Sequence, residues 1–170
     1  IVMHGEPYSL WHDILKPWGS TYHLLNYFDQ VIAVEGACGA IQNRVSSSVE
    51  MINPGVDTEL FTPGENTKHT KRLLFVGRFV PAKNLSLLIK TFEAVAESHP
   101  DAELVFIGDG PKRNQIQNEV ERRELTERVK FLGYVPNEEL PDLYRSAAVF
   151  VLSSKSEAHP ITFLEAMSCG

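Results

Sequence analysis

The chain has 170 residues, 43% hydrophobic and 22% charged, an ordinary globular composition that at this length buries roughly 70% of the unfolded surface. A formal net charge of -6 excludes an overall positive field for holding nucleic acid or an anionic membrane and points to small-molecule partners. Cys38 and Cys169 stand outside any CxxC or Cys/His metal spacing, which fits a reducing compartment without a zinc site, and no apolar run approaches the ~20 residues of a membrane span. In chain order, residues 1–3 read as the end of a strand, a helix falls somewhere in 10–27, a strand at 31–34, a helix after Ala37 and a strand at 49–52. The chain begins without an initiator methionine or a charged-then-apolar leader and closes on Met167-Ser168-Cys169-Gly170, ends that read as cuts in a longer protein.

The run Asn53-Pro54-Gly55-Val56-Asp57 and the polar stretch 62–70 interrupt this pattern, so a lobe boundary is placed at 53–70, with one domain over the whole chain as the alternative. From Lys71 onward a short apolar run, a turn and a helical stretch repeat. Strands are expected at 73–76, 104–107, 129–132 and 149–152, each a near-continuous apolar run of the kind that a parallel sheet covers on both faces. Leu85, Leu88, Ile89, Phe92 and Ala96 form one helical stripe, with Asn84 as N-cap and Pro100 as terminator. Residues 112–124 read as an exposed crossover helix and 137–148 as a third. The fold class is therefore α/β, a doubly wound parallel sheet with right-handed crossovers.

Ligands of such sheets bind beyond the carboxyl ends of the strands, where the strand order reverses. The four post-strand loops open as Gly77-Arg78, Gly108-Asp109-Gly110-Pro111, Gly133-Tyr134-Val135-Pro136 and Ser153-Ser154-Lys155-Ser156-Glu157-Ala158-His159-Pro160. With the strand order 3-2-1-4, the first and fourth loops become neighbours and bring Arg78 and Lys83 toward Glu157 and Glu165. Two cations beside a helix start suit a diphosphate, each charge-assisted hydrogen bond contributing about 1.5 to 3 kcal/mol. Glu157 precedes the last helix and Glu165 lies within it; sugar-hydroxyl acceptor and helix-capping carboxylate stand level as readings of the two. Gly108-Asp109-Gly110-Pro111 echoes a dinucleotide fingerprint but lacks the third glycine, and turn formation explains it as well as phosphate contact.

Together these loops resemble the nucleotide-sugar-binding lobe of retaining glycosyltransferases of the two-lobed GT-B architecture, the glycosyl transferases group 1, which include glycogen synthases, sucrose synthases and mannosyltransferases. The resemblance runs from Ile52 to Gly170. It is carried by Pro54-Gly55-Val56-Asp57 with Phe61 and Pro63, Val76-Gly77-Arg78 with Lys83-Asn84, Ile107-Gly108-Asp109-Gly110-Pro111, Phe131-Leu132-Gly133-Tyr134-Val135-Pro136, and Ser156-Glu157 leading to Glu165-Ala166-Met167-Ser168-Cys169-Gly170. It implies that Arg78 and Lys83 hold the diphosphate, Glu157 meets the transferred sugar, Glu165 binds the ribose hydroxyls and Gly133 to Val135 lie against the base. Ala158-His159 stand where the family has Gly-Phe; the Ala158 N–H can still face sugar and diphosphate, and His159 either bonds a sugar hydroxyl or fills the aromatic packing position, the second reading being favoured. His4, after a short apolar run, matches an acceptor-lobe histidine that faces the donor sugar.

The resemblance further implies residues 1–52 as the end of the acceptor lobe, 53–70 as linker and 71–170 as a donor lobe lacking its last strand. The reaction it implies moves a hexose from a UDP-, GDP- or ADP-sugar to a hydroxyl of a glycan, lipid or small molecule, with no metal or other cofactor. The location implied is cytoplasmic, free or at a membrane surface, though no basic amphipathic helix supports the latter. The 170-residue chain by itself is expected to bind nucleotide and not to transfer sugar. A non-catalytic nucleotide-sugar-binding module is the alternative, favoured by Ala158-His159; a nicotinamide dehydrogenase fails because Gly77-Arg78 lacks the glycine spacing.

Overall fold

The structure, a computed structural model of the chain, describes residues 2–3, 25–33, 41–43, 45–64, 69–157 and 159–170. The chain divides into two compact units, Ile1–Gly55 with Glu157–Pro160, and Val56–Ser156 with Ile161–Gly170. In the first, β1 (Val2–Met3), β2 (Gln30–Ala33) and β3 (Ser48–Met51) pair in parallel in that order. Val31 and Ala33 are buried with Leu25 and Ile41, and Val45 and Val49 pack against them. Most of the helix expected in 10–27, the residues around Ala37, and His4 lie outside the described residues.

The second unit alternates β4 (His69–Val76), α1 (Leu85–Ser98), β5 (Glu103–Ile107), α2 (Arg113–Arg122), β6 (Val129–Gly133), α3 (Leu140–Ser146), β7 (Ala147–Phe150) and α4 (Ile161–Cys169). All its strand pairs are parallel and the order is β6-β5-β4-β7, the 3-2-1-4 arrangement expected from the sequence. Period-two alternation on the two central strands divides the core. Phe75, Leu104 and Phe106 join the stripe of α1 and Ile116 and Val120 of α2 on one face. Leu74, Val76, Val105 and Ile107 meet Leu140 and Tyr144 of α3, Cys169 of α4 and Phe61 on the other.

Leu85, Leu88, Ile89, Phe92 and Ala96 are the buried residues of α1, the stripe the spacing predicts. Asn84 stands at the N-cap position, but its side chain makes no cap hydrogen bond. It adopts φ 50°, ψ 44°, the left-handed conformation that asparagine tolerates better than most residues, and so turns the chain from a short 3-10 turn (Pro81–Lys83) into α1. The expectation of strands buried on both faces holds for β5 and for Leu74, Phe75 and Val76 of β4, and fails at the margins of the sheet. Leu132 of β6 is 47% exposed and Val149 of β7 51%, because each strand pairs on one side only among the described residues. The last strand also begins earlier than its apolar run, at Ala147, whose partner in register is His69.

Asp57 explains how 56–64 joins this unit. Its carboxylate accepts the backbone N–H of Glu59 (3.0 Å) and Leu60 (3.1 Å), and its carbonyl accepts that of Phe61 (2.8 Å). The turn drives Phe61, 2% exposed, into the core edge-on to Tyr144. Arg145 of α3 donates to the Thr62 carbonyl (2.9 Å) and Ser168 of α4 to the Phe61 carbonyl, which fastens the segment to both helices. Toward the amino ends of the strands, Glu103 accepts from Arg72 (2.5 Å) and Lys130 (2.6 Å), a cross-strand ion triad.

Candidate functional site at the carboxyl edge of the sheet

The loop after β4 is shaped by one aromatic residue. Phe79 is fully buried and packs at 6.3, 5.8 and 6.2 Å (ring centroids) from Phe75, Phe106 and Phe131, the last two stacked on each other at 5.2 Å. Arg78, its neighbour, is exposed; its carbonyl accepts the Val80 N–H (3.0 Å), while its guanidinium makes no hydrogen bond or ion pair with any other described residue. The next cation, Lys83, closes the 3-10 turn and is half-buried; its Cε lies 3.8 Å from where a Cβ on Gly77 would stand, so its stem folds back over the start of the loop.

Backbone hydrogen bonds lace this loop to both neighbours. On one side Gly77 N–H donates to Ile107 O (3.0 Å), Phe79 N–H to Asp109 O (2.9 Å) and Lys112 N–H to Phe79 O (3.0 Å). The glycines of Gly108-Asp109-Gly110 are explained here. A Cβ on Gly108 (φ 114°) would fall 2.1 Å from the Gly77 oxygen, and one on Gly110 would fall 2.7 Å from the Phe79 oxygen. Of the two sequence readings, turn or phosphate contact, the geometry supports a third: these glycines admit the backbone of the Arg78 loop. On the other side Ser153 Oγ donates to Lys83 O (2.8 Å) and Lys155 N–H to Ala82 O (2.9 Å). The first and fourth post-strand loops are therefore neighbours at the reversal of strand order.

The loop after β6 joins the same edge through Gly108 N–H donating to Gly133 O (2.7 Å). Tyr134 is 83% exposed and Val135 packs against the core face of α3 and α4. Arg113, a cation the sequence reading did not single out, opens α2. It pairs with Asp109 at 3.4 Å and its guanidinium comes within 3.6 Å of where a Cβ on Gly133 would stand.

Glu157, His159 and Pro160 group with the first compact unit. There Glu157 is half-buried, and His159 Nδ1 is buried with no hydrogen-bond partner among the described residues; Ala158 lies outside them. Glu165, in α4, is 8% exposed, and its Oε2 accepts a 2.6 Å hydrogen bond from the Tyr144 hydroxyl. Burial, then the hydrogen bond to Glu165 and its charge, pushes the Tyr144 hydroxyl far above the usual tyrosine range. Burial likewise pushes the Cys169 thiol up. Tyr144 was invisible as a site residue in sequence, where it reads as one apolar position of a helix.

The post-strand loops are thus laced together and carry an exposed arginine and a folded-back lysine at the reversal of strand order. The family model described as Glycosyl transferases group 1 matches residues 56–170. The chain belongs to this family. Among curated relatives, the GPI3 subunit of the phosphatidylinositol N-acetylglucosaminyltransferase of Saccharomyces cerevisiae is 32% identical over 161 residues, 88% of this chain and 35% of that protein. The chain thus spans about a third of the length of the curated relatives it matches first. The C-terminal domain of a group 1 family protein (LpcC) from Francisella tularensis superposes with TM-score 0.61 at 25% identity, covering 68% of this chain and 67% of that one. The pneumococcal O-GlcNAc transferase GtfA, solved with UDP and GlcNAc, matches with TM-score 0.80 at 15% identity over 99% of this chain and 35% of its own, a likeness of fold. Among the described residues no helix is long and apolar enough to cross a membrane, and no group of three or more His, Cys, Asp or Glu could hold a metal ion.

Proposed function

We propose that the protein is a retaining glycosyltransferase that moves a hexose from a nucleoside-diphosphate sugar to a hydroxyl acceptor without a metal. The observation that carries the reading is Arg78, an exposed cation on a loop fixed from both sides at the reversal of strand order. Charge builds on the departing diphosphate, and Arg78 with Lys83 offsets it; removing a preorganised donor of this kind costs about 2.7 to 4 kcal/mol. Glu165 is assigned to the ribose hydroxyls and Gly133 to Val135 to the base, while Glu157, Ala158 and His4 are the residues assigned to the transferred sugar and His159 to packing or a sugar hydroxyl. In this reading residues 1–52 belong to the acceptor lobe, 53–70 to the linker and 71–170 to the donor lobe. UDP bound to the pneumococcal neighbour and N-acetylglucosaminyl transfer in the yeast relative's name make UDP the first nucleotide to try.

Calorimetric titration with UDP, GDP and ADP in the presence of a chelator tests this. The expected result is metal-free binding of one nucleotide, lost in Arg78→Ala, with no sugar transfer by the 170-residue chain itself. Binding of none of the three, or equal binding by Arg78→Ala, refutes the diphosphate site; transfer by the chain refutes the division of labour between lobes. Ala158-His159 in place of Gly-Phe favours a second reading, a binding module without catalysis, which predicts unchanged donor-sugar affinity in Glu157→Gln.

A further inference from the structure

A carboxylate with 8% exposure is costly unless donors surround it, and it offers about four acceptor positions. Among the described residues the hydroxyl of Tyr144 is the one hydrogen-bond donor to the Glu165 carboxylate, at 2.6 Å on Oε2. The carboxylate is thus anchored at one oxygen and has acceptor capacity left over. Tyr144 is well suited to anchor it. Its ring is 5% exposed, held edge-on by Phe61 at 6.0 Å and by Phe150 at 5.6 Å, so its hydroxyl has little freedom to follow another partner. The two residues come from different helices, α3 and α4, so the bond also sets where the α4 carboxylate stands relative to the sheet.

We infer that Tyr144 is a positioning residue for the nucleotide: by occupying one oxygen of Glu165 it fixes the carboxylate so that the remaining acceptor sites meet the ribose hydroxyls, and thereby sets the preference for ribonucleotides over deoxyribonucleotides. This rests on the assignment of Glu165 to the ribose made above. A purely structural tyrosine would support every nucleotide equally, whereas a positioning tyrosine supports only those that carry the hydroxyls.

The test compares UDP, GDP and ADP with their 2′,3′-dideoxy counterparts on the wild-type chain and on Tyr144→Phe, which keeps the ring and its edge contacts and removes the donor. The expected result is a wild-type preference for the ribonucleotide that falls about tenfold in Tyr144→Phe, with dideoxynucleotide affinity held within about twofold. A wild type without preference overturns the Glu165 assignment and this inference with it. A preference retained in full by Tyr144→Phe, or a parallel loss for both nucleotides, overturns the inference alone. Proton NMR of the wild type gives a variant-free reading: the Tyr144 hydroxyl, slowed in exchange by its buried bond, shifts on addition of the ribonucleotide and not of the dideoxynucleotide. A resonance indifferent to both refutes the coupling.

Discussion

Replacing Gly108 by alanine tests whether the glycines after β5 serve the loop after β4. At φ 114° an L-residue is strained by about 1 to 3 kcal/mol before any contact is considered. The added Cβ would stand 2.1 Å from the Gly77 carbonyl oxygen, a backbone atom that no side-chain rotation can clear, so the two chain segments must part by about 1 Å. That movement stretches the bonds from Gly77 N–H to Ile107 O (3.0 Å) and from Gly108 N–H to Gly133 O (2.7 Å), each contributing about 1 kcal/mol net. Together these come to about 3 to 5 kcal/mol, a large fraction of the 5 to 15 kcal/mol typical of a domain, and lower Tm by about 10 °C. Urea and thermal unfolding followed by circular dichroism would measure it, with Gly55→Ala as control because a Cβ there meets nothing within 4 Å. The control is expected within about 0.5 kcal/mol of wild type. If Gly108→Ala behaves like Gly55→Ala, the lacing of the loops by close backbone approach is wrong.

Three further outcomes follow from the packing and the charges. Burial pushes the Glu103 carboxyl up, but hydrogen bonds and charge from Lys130 and Arg72 outweigh it and hold its pKa below the ordinary 4.5. The triad's stabilisation is therefore present above that value and fades as pH falls through the folded-state pKa; Glu103→Gln should cost about 1 kcal/mol at pH 7, and in urea unfolding the difference from wild type should vanish in acid. Asp57→Ala removes the acceptor for Glu59 and Leu60 N–H and should cost about 1 kcal/mol, while Asp57→Asn, which keeps an acceptor oxygen, recovers most of it in the same assay. Phe106→Ala opens a cavity among Phe75, Phe79 and Phe131 and should cost about 3 to 5 kcal/mol, and because Phe79 anchors the Arg78 loop it should weaken nucleotide binding as well; a stable variant that binds normally would contradict that anchoring.

What the sequence by itself determined was whatever depends on near neighbours in the chain. The stripe from Leu85 to Ala96 recurs at the helical period, and the runs at 73–76 and 104–107 are apolar enough to be covered on both faces, so α1, β4 and β5 could be read directly. The alternation of strands and helices then left few topologies open, and the observed order β6-β5-β4-β7 puts the motif-bearing loops on one edge. The tertiary structure decided what depends on partners far along the chain. Asn84 has a capping residue's identity and position, yet only the turn it must complete shows that its left-handed backbone is what the site uses. Leu132 and Val149 are apolar, yet stand exposed at the margins of the sheet, because pairing, not hydropathy, decides which strand is an edge. Gly108 and Gly77, 31 residues apart, meet because β4 and β5 are hydrogen-bonded neighbours, and Tyr144 reaches Glu165 because α3 and α4 cover the same face of the sheet. Periodicity is a local property that survives in a bare sequence; the approach of two backbones, or of a hydroxyl to a buried carboxylate, exists only once the sheet has brought them together.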